Sequence, residues 1–276
     1  MKQNHLHSDP LNEFLNGEKL YGNDFSLSEI RSWYEDEKEG YAELGAKEFD
    51  KYRYSYHKLN EVLGYRYLLQ RKIKFEKVLS IGGGYGDELP PVLDQIGDVF
   101  ILEPSSQLRR EELGGKPLKY ISPSVTGEIP FPTDYFSLVT CFGVLHHIPN
   151  VETVIKEIHR VSQKGGYVLI REPVVSKGDW RNKRVGLTKR ERGIPPRIMR
   201  EFVCRTGFKV LKVSPCMFPL TFKLSTYLER PFNNLIAVHI DKVLSRIFQF
   251  NYHYHSQSIW GKLEPKSYFW VLYKSE

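Results

Sequence analysis

The feature that most constrains the fold is a glycine turn between two short apolar runs. Residues 78–81 read VLSI, residues 82–87 read GGGYGD, and residues 99–103 read VFILE. Glycine allows a sharp turn and a close approach of the backbone to a ligand, and a carboxylate about 20 residues further on can accept hydrogen bonds from two ribose hydroxyls. The pattern predicts a strand, a glycine turn, a helix start and a second strand around a nucleotide-cofactor pocket.

The spacing of these glycines disfavours a pyrophosphate ligand. A dinucleotide fingerprint needs G-x-G-x-x-G, but its third glycine would fall on Asp87 when counted from Gly82, and on Leu89 when counted from Gly84. A P-loop needs a Lys and a Ser or Thr after its glycines, and no Lys follows here. Another kind of nucleotide cofactor is therefore expected.

Three further motifs follow the glycine turn and Glu103. Residues 129–149 read IPFPTDYFSLVTCFGVLHHIP, residues 158–161 read IHRV, and residues 165–170 read GGYVLI. In this order the motifs resemble those of class I S-adenosylmethionine-dependent methyltransferases, with a match that covers residues 76–172. The resemblance implies S-adenosyl-L-methionine as the cofactor. It also implies an α/β, Rossmann-like, mostly parallel seven-stranded sheet with helices on both faces.

The resemblance implies a set of cofactor-binding residues around the glycine turn and the ends of two strands. These are Gly82, Gly83, Gly84, Gly86, Asp87, Glu103, Pro104 and Phe142. Two positions depart from the family pattern. Ser80 stands where many members carry an acid, so that contact is expected to fall to Asp87 or to the backbone, and Val125 stands near the place of an acid that contacts adenine. A non-catalytic Rossmann-like binding protein is therefore kept as an alternative of a different class.

Methyl transfer from a sulfonium is an in-line displacement, so the protein mainly has to position the acceptor, and a hydroxyl acceptor also needs a base. His146 and His147 follow a predicted strand at its carboxyl end, where parallel sheets bind their ligands. Histidine titrates near neutral pH, so both are candidate bases, with a structural role as the alternative. Asp179 and Glu191 are further candidates for accepting a hydroxyl proton. No metal site is predicted.

The segment 171–195 indicates the acceptor. It contains GDWR and RVGLTKRERGIP, and it resembles a loop of methyltransferases found among polysaccharide and sugar biosynthesis genes. Trp180 can stack on a sugar, and Arg184 and Arg192 can form forked contacts with phosphate or carboxylate. The predicted acceptor is a small molecule, a sugar hydroxyl of a nucleotide- or lipid-linked glycan precursor that carries phosphate. The alternative is a web of ion pairs that only orders the loop.

Positive charge is concentrated in the same region. Residues 174–212 contain twelve Lys or Arg and three Asp or Glu, in a chain whose net charge is +7. Such a cluster can attract phosphate, so an RNA methyltransferase is a second enzyme interpretation, although no separate RNA-binding module is recognised. A solvated basic surface is the simpler alternative, and the non-catalytic interpretation would use this patch for binding.

The predicted organisation is one methyltransferase domain with two additions. Residues 1–72 are expected to form an N-terminal helical cap or lid, with a capping box at Ser26-x-x-Glu29. The domain takes up residues 73–276, with a core of 76–216 and 266–274 and a helical insertion at 217–265. Apolar residues between 235 and 248 predict a helix that packs on the core or cap, forms a pocket wall or makes a homodimer contact.

The spacing of apolar residues predicts the individual elements. Strands are expected at 77–81, 98–103, 118–121, 136–141, 166–172, 208–215 and 267–273, and helices at 52–71, 87–96, 105–112, 151–162 and 195–205. The sequence has no apolar run of about 18 residues and no apolar stretch at residues 1–10, so a cytoplasmic protein is expected. Its three cysteines are too few and too scattered for a disulfide framework.

Overall fold

A computed structural model of the chain describes residues 10–44, 54–180, 182, 184 and 186–275. Its centre is a sheet of eight strands in the order β3-β4-β2-β1-β5-β6-β8-β7. The strands are β1 (Phe75–Ile81), β2 (Ile96–Leu102), β3 (Glu112–Leu113), β4 (Lys116–Ile121), β5 (Phe136–Phe142), β6 (Ser162–Pro173), β7 (Phe208–Cys216) and β8 (Ser267–Lys274). The predicted Rossmann-like sheet is confirmed. The two-residue β3 on its outer edge is the strand beyond the seven expected.

The strand directions place a ligand site at one edge of the sheet. Strands β4, β2, β1, β5 and β6 run parallel, whereas β8 runs antiparallel between β6 and β7. From β1 the chain continues to β2 on one side and later to β5 on the other. Ligands of such sheets bind outside the carboxyl ends of the strands at this switch point. The site is therefore expected next to Ile81 and Phe142.

Helices cover both faces of the sheet. They are α1 (Pro10–Leu15), α2 (Leu27–Leu44), α3 (His57–Asn60), α4 (Arg66–Leu69), α5 (Val151–Val161), α6 (Pro196–Arg205), α7 (Pro219–Lys223) and α8 (Leu235–Ile247), with a π-helical turn at Glu61–Tyr65 between α3 and α4. On one face α5 and α6 bury Ile155 and Met199 against the sheet. On the other face the α3–α4 segment and α8 bury Leu63 and Val238.

Two predicted helices are wrong. In place of a helix at 87–96 the chain makes turns and a 3₁₀ helix at Pro90–Gln95. Two successive prolines have no amide hydrogens to donate, and their rings would clash with preceding carbonyls inside an α-helix. In place of a helix at 105–112 the chain makes turns and the short hairpin β3–β4. Gly114 and Gly115, with φ of 56° and 77°, close that hairpin, and positive φ at both central residues is typical of a tight β-turn.

The other predicted elements are confirmed with small shifts at their ends. The helix expected at 52–71 is seen from His57 to Leu69, and the first two of its predicted residues lie outside the described part of the chain. The capping box is confirmed, since the Ser26 amide donates to Glu29 Oε2 (2.8 Å) and the Glu29 amide donates to Ser26 Oγ (3.4 Å). None of the helices in the described ranges has the length and apolar character needed to cross a membrane.

The insertion helix α8 is only half covered. Ala237 and Val238 are buried against the rest of the domain, which confirms packing on the core for that side. Ile236 and Ile240 on the opposite side are 72% and 47% exposed. The broad apolar face predicted from the sequence is thus divided between the core and the surface.

Candidate functional site

A cavity of about 310 Å³ lies at the carboxyl edge of the sheet, beneath helix α2. The segments after β1, β2, β4 and β5 form its floor and sides, and α2 closes it with Ile30, Trp33, Tyr34 and Glu37. Of the residues predicted to bind the cofactor, Gly82, Glu103 and Pro104 line this cavity. Its walls are largely apolar and include Ile81, Leu102, Ile129, Val144 and Ile148, which suits a flat heterocycle.

The glycine turn is built for close contacts. Gly82 has a φ of 60°, and a Cβ there would lie 2.5 Å from a methyl carbon of Val144. At Gly83 a Cβ would lie 1.9 Å from Ser80 Oγ. A larger residue at either position would force the Val144 or Ser80 side chain to move, and at Gly82 it would also be strained by the positive φ, so glycine is favoured at both positions. The turn thereby lets the loop after β5 approach the end of β1 at the edge of the cavity.

Glu103 lies just after β2 with its carboxylate held in place. Oε2 accepts a hydrogen bond from the Gly84 amide (3.1 Å) and Oε1 accepts one from the Ser105 amide (2.9 Å). Burial raises the pKa of Glu103, while these two amides act in the opposite direction. A carboxylate has about four acceptor positions, so two backbone bonds leave capacity for ligand hydroxyls. The predicted acid therefore stands in the cavity wall with suitable chemistry for a ribose.

The loop after β5 is anchored by Glu172, at the end of β6. Its carboxylate accepts hydrogen bonds from the amides of Val144 (2.8 Å), Leu145 (2.9 Å) and His146 (3.3 Å), and from His146 Nδ1 (2.9 Å). Burial alone would raise the pKa of Glu172, but the bonds from His146 and the amides hold it below its usual value. Glu172 was not predicted as a site residue, and a lone acid in a strand gives no sequence signal for this role.

The two histidines have different surroundings. His146 is buried between two carboxylates, with Nδ1 on Glu172 and Nε2 3.3 Å from Glu191, and it does not line the cavity. His147 does line the cavity. Its Nδ1 lies 2.8 Å from Glu37 Oε2, and its backbone carbonyl accepts a hydrogen bond from Trp33 Nε1 (2.7 Å). Helix α2 therefore orients His147 at the cavity wall.

Glu191 completes the cluster of charged groups behind the histidines. Ligand atoms of His146, His147 and Glu191 lie within 4.8 Å of one another, a spacing that could hold a metal ion. Lys177 Nζ, however, forms an ion pair with Glu191, so the positive charge beside this carboxylate is that of a lysine. Burial would raise the pKa of Glu191, but the bond from His146 and the charge of Lys177 hold it well below the usual value. Glu191 is thus an ionised carboxylate at neutral pH.

Comparisons with known proteins agree with this geometry. A family model described as "Methyltransferase domain" matches residues 79–170. Residues 79–170 form a class I methyltransferase domain. Its cofactor is S-adenosylmethionine, and the acid, the glycine turn and the apolar walls of the cavity fit the ribose and adenine of that molecule. Gly82, Glu103 and Pro104 are the predicted residues that would hold it here.

Individual relatives share the domain but not the whole length. The chain is 30% identical over 124 residues to a phosphatidylethanolamine N-methyltransferase from Cereibacter sphaeroides, a match covering 43% of this chain and 61% of the relative. It is 29% identical to the ubiquinone/menaquinone biosynthesis C-methyltransferase UbiE from Neisseria meningitidis, covering 36% and 43%. A solved Galdieria sulphuraria structure, assigned as a sarcosine dimethylglycine methyltransferase, aligns with a TM-score of 0.54 at 15% identity over 79% of this chain and 85% of its own. That likeness shows the fold.

The remaining predicted cofactor residues of the methyltransferase domain lie outside the cavity wall. Asp87 forms an ion pair with Arg110 (2.9 Å), and Phe142 packs against the rings of Tyr65 and Phe269. Gly83, Gly84 and Gly86 shape the turn without lining the cavity. Val125 does line it, and so does an acid three residues later, Glu128, which the sequence reasoning missed. Glu128 provides a carboxylate near the position where the family pattern predicted one.

The predicted acceptor residues are engaged inside the protein. Trp180 is buried against the ring of Tyr21, and Asp179 accepts a hydrogen bond from the Asn182 amide. Arg184 donates to the carbonyls of Lys177, Thr188, Lys189 and Glu191. Arg192 is fully buried and donates to the carbonyls of Tyr21, Leu145, His146, Ile148 and Pro149. Neither guanidinium has the open forked face expected for phosphate, so the alternative of a loop-ordering network describes these contacts better.

The basic segment 174–212 is likewise not a single open patch. Lys189 and Arg190 pair with Asp36 of α2 (2.8 and 2.6 Å), and Lys177 pairs with Glu191. Lys212 donates to the carbonyl of Leu63, and Arg205 pairs with Glu201. Much of the positive charge counted from the sequence is therefore paired with acids or directed inward. The ion pairs of Lys189 and Arg190 with Asp36 tie the loop 186–192 to helix α2.

Glu88 lies below the glycine turn and is a second acid that sequence reasoning missed. Its Oε1 accepts hydrogen bonds from Ser80 and from Thr140 Oγ1 (3.4 Å). Burial raises the pKa of Glu88 to about 7, although the Ser80 hydroxyl acts in the opposite direction. A carboxyl group thus stands beside Ser80, the strand position where the family pattern expects an acid.

Glu88 should make the stability of the protein depend on pH. The pKa of Glu88 in the folded state lies above the value of 4.5 for the free group, so folding favours the protonated carboxyl group. This contribution to the free energy of unfolding is complete below pH 4.5 and is lost as the pH rises through about 7. We expect the free energy of unfolding of the wild type, relative to Glu88→Gln, to fall by about 3 kcal/mol over that range. Urea unfolding of both proteins between pH 4.5 and 8 measures this difference, and parallel curves would contradict it.

Proposed function

We propose that the chain transfers a methyl group from S-adenosylmethionine to a hydroxyl of a small polar acceptor, with His147 as the base. The observation that carries this proposal is the position of the His147 ring, in the wall of the cofactor cavity and hydrogen-bonded to Glu37. When bound, the cofactor supplies a methyl carbon on a positively charged sulfur, and the protein has to place a nucleophilic oxygen against it.

The protonation state of the pair supports this role. Burial would raise the pKa of Glu37, but hydrogen bonds from His147 and Thr188 lower it, so the group is a carboxylate at neutral pH. Because an ionised carboxylate only accepts hydrogen bonds, Nδ1 of His147 carries its hydrogen and Nε2 carries the basic lone pair. Burial lowers the pKa of His147 to about 4, and the nearby His146 adds to this effect, so the ring is neutral. After proton uptake the Glu37 carboxylate would stabilise the imidazolium.

For the acceptor we propose a sugar hydroxyl of a nucleotide- or lipid-linked glycan precursor. The support is the resemblance of the segment 171–195 to a loop of methyltransferases found among polysaccharide and sugar biosynthesis genes. A second support is the position of that segment beside His147. Thr188 Oγ1 lies 3.4 Å from His147 Nδ1, and the Arg190 amide donates to Glu37 (3.0 Å). The loop that would recognise the acceptor therefore meets the catalytic pair, even though Trp180 and Arg192 serve the packing of the loop.

Cofactor binding is tested by calorimetric titration with S-adenosylhomocysteine. We expect the wild type to bind and Glu103→Ala to bind about 10- to 100-fold more weakly, because hydrogen bonds to a charged acceptor contribute about 1.5–3 kcal/mol each. Glu112→Ala, which removes an exposed acid at the sheet edge, is the matched control and should bind like the wild type. Absence of binding at millimolar ligand would support the non-catalytic interpretation.

The acceptor is tested by transfer of a labelled methyl group. Nucleotide-sugars, lipid-linked glycan precursors and RNA are offered in separate reactions with the full chain. Labelling of one of the two glycan classes supports the proposed acceptor, and base-stable label on a sugar oxygen supports the hydroxyl. Labelling of RNA alone would overturn the glycan proposal while leaving methyl transfer itself intact.

A further inference from the structure

The exposed apolar side chains of this protein are concentrated in one segment. Of the twelve large apolar side chains that are exposed in the described part of the chain, eleven lie between Leu220 and Trp260. Single exposed apolar residues are ordinary on protein surfaces, but a concentration of this kind marks an interaction surface. We define the insertion surface by six of them: Ile236, Ile240, Val243, Ile247, Phe250 and Trp260.

Four residues of the insertion surface form a stripe along α8. Ile236, Ile240, Val243 and Ile247 follow one another at intervals of four, three and four residues, so they lie on one side of the helix. They are 72%, 47%, 57% and 55% exposed. Ala237, Val238, Asp241 and Ser245 are buried on the other side. The helix is thus fixed flat on the domain, with its apolar stripe turned outward.

Neighbouring segments are tied to this helix and extend the surface. Asp241 of α8 accepts hydrogen bonds from the amides of Met217 (2.9 Å) and Phe218 (2.7 Å), which lie just before α7. Just after α8, Asn251 Nδ2 donates to the carbonyls of Trp260 (2.7 Å) and Leu263 (3.0 Å). These bonds hold the exposed Trp260, next to the end of α8, in a defined position on the fold.

The charges around the insertion surface are almost all positive. Lys223, Lys242, Arg246 and Lys262 are exposed. Of the three acids in residues 217–265, Asp241 and Glu264 are fully buried and Glu229 pairs with Arg230 (3.1 Å). Lys242 and Arg246 line one surface groove together with Val243 and Ile247, so the basic and apolar groups are adjacent.

We propose that the insertion surface docks on the face of an anionic lipid bilayer. An amphipathic helix that lies in the interface buries an apolar stripe among the acyl chains and keeps basic residues at the head groups, and Trp is enriched at that depth. The stripe, the flanking Lys and Arg and the exposed Trp260 match this arrangement. A second copy of the chain would bring the same basic groups together, so charge complementarity favours an anionic surface.

The proposal is tested by co-sedimentation of the full chain with vesicles. We expect binding to phosphatidylcholine vesicles that contain about 30% phosphatidylglycerol, weaker binding to pure phosphatidylcholine, and a decrease with added salt. Lys242→Gln combined with Arg246→Gln should weaken binding about 25-fold, because each basic residue near such a surface contributes about fivefold. Ile240→Ser combined with Ile247→Ser should weaken it about tenfold or more.

The matched control is Leu27→Ser, which changes an exposed apolar residue of α2 and should leave vesicle binding unaltered. The proposal is independent of methyl transfer, because sedimentation is read without any substrate. Failure of the wild type to sediment with anionic vesicles would overturn it. So would a wild-type dimer, measured by light scattering, that the substitutions at Ile240 and Ile247 convert to a monomer, since the occupant would then be a second copy.

Discussion

Replacing Arg192 by methionine is expected to lower the free energy of unfolding by about 3–5 kcal/mol. The guanidinium is fully buried, and burial lowers its pKa to about 10, so it is still charged at neutral pH. It donates to five backbone carbonyls, four of which belong to residues 145–149 and one to Tyr21. Methionine fills much of the space but leaves these buried carbonyls without their donor.

The measurement is urea unfolding of the variant beside Arg205→Met. Arg205 is exposed and pairs with Glu201 within one helix, so the control should change stability by about 0.5 kcal/mol or less. A loss of less than about 1 kcal/mol for Arg192→Met would show that water or a neighbouring group can replace the guanidinium. Because the carbonyls belong to the loop that carries His147, the variant should also bind S-adenosylhomocysteine more weakly.

Arg192 also shows what a sequence can and cannot predict for this fold. The buried parts of β1 (residues 78–81) and β5 (residues 136–141) are mostly apolar, and these short apolar runs predict the two strands directly. The glycine turn and Glu103 are close in sequence, so their spacing predicts a shared pocket. Whether an arginine faces solvent or the interior, however, is decided by distant carbonyls: Tyr21 lies 171 residues from Arg192.

The same limit applies to Glu37 and Glu172. Glu37 stands in an acidic run of helix α2 and reaches His147 across 110 residues, and Glu172 reaches His146 across 26. Nothing in the local pattern separates Glu37 from the acids beside it. The wrong helix at 87–96 has a different cause. The apolar residues there are spaced as in a helix, but Pro90 and Pro91 prevent the backbone from forming α-helical hydrogen bonds.

If His147 is the base, His147→Ala should reduce kcat by about 10²–10⁴-fold, the range for loss of general base catalysis. Its affinity for S-adenosylhomocysteine should fall by a much smaller factor: the ring is lost from the cavity wall, but Glu103 and the glycine turn are untouched. Glu37→Gln should reduce kcat by a smaller factor, because the amide can still accept the Nδ1 hydrogen bond but no longer stabilises the imidazolium. Calorimetry and initial rates on the same preparations separate the two effects.

The pH dependence of kcat distinguishes a catalytic His147 from a structural one. Since the pKa of His147 is lowered to about 4 in the folded protein, the wild-type rate should not fall from its protonation until the pH approaches that value. Loss of the Glu37 carboxylate removes a group that raises the pKa of His147, so in Glu37→Gln any decrease of kcat at acid pH should begin at a still lower pH. His159→Ala, which alters a half-buried histidine on α5, is the matched control and should keep full turnover. Unchanged turnover in His147→Ala would exclude it as the base and direct attention to Glu191, the ionised carboxylate beside the two histidines.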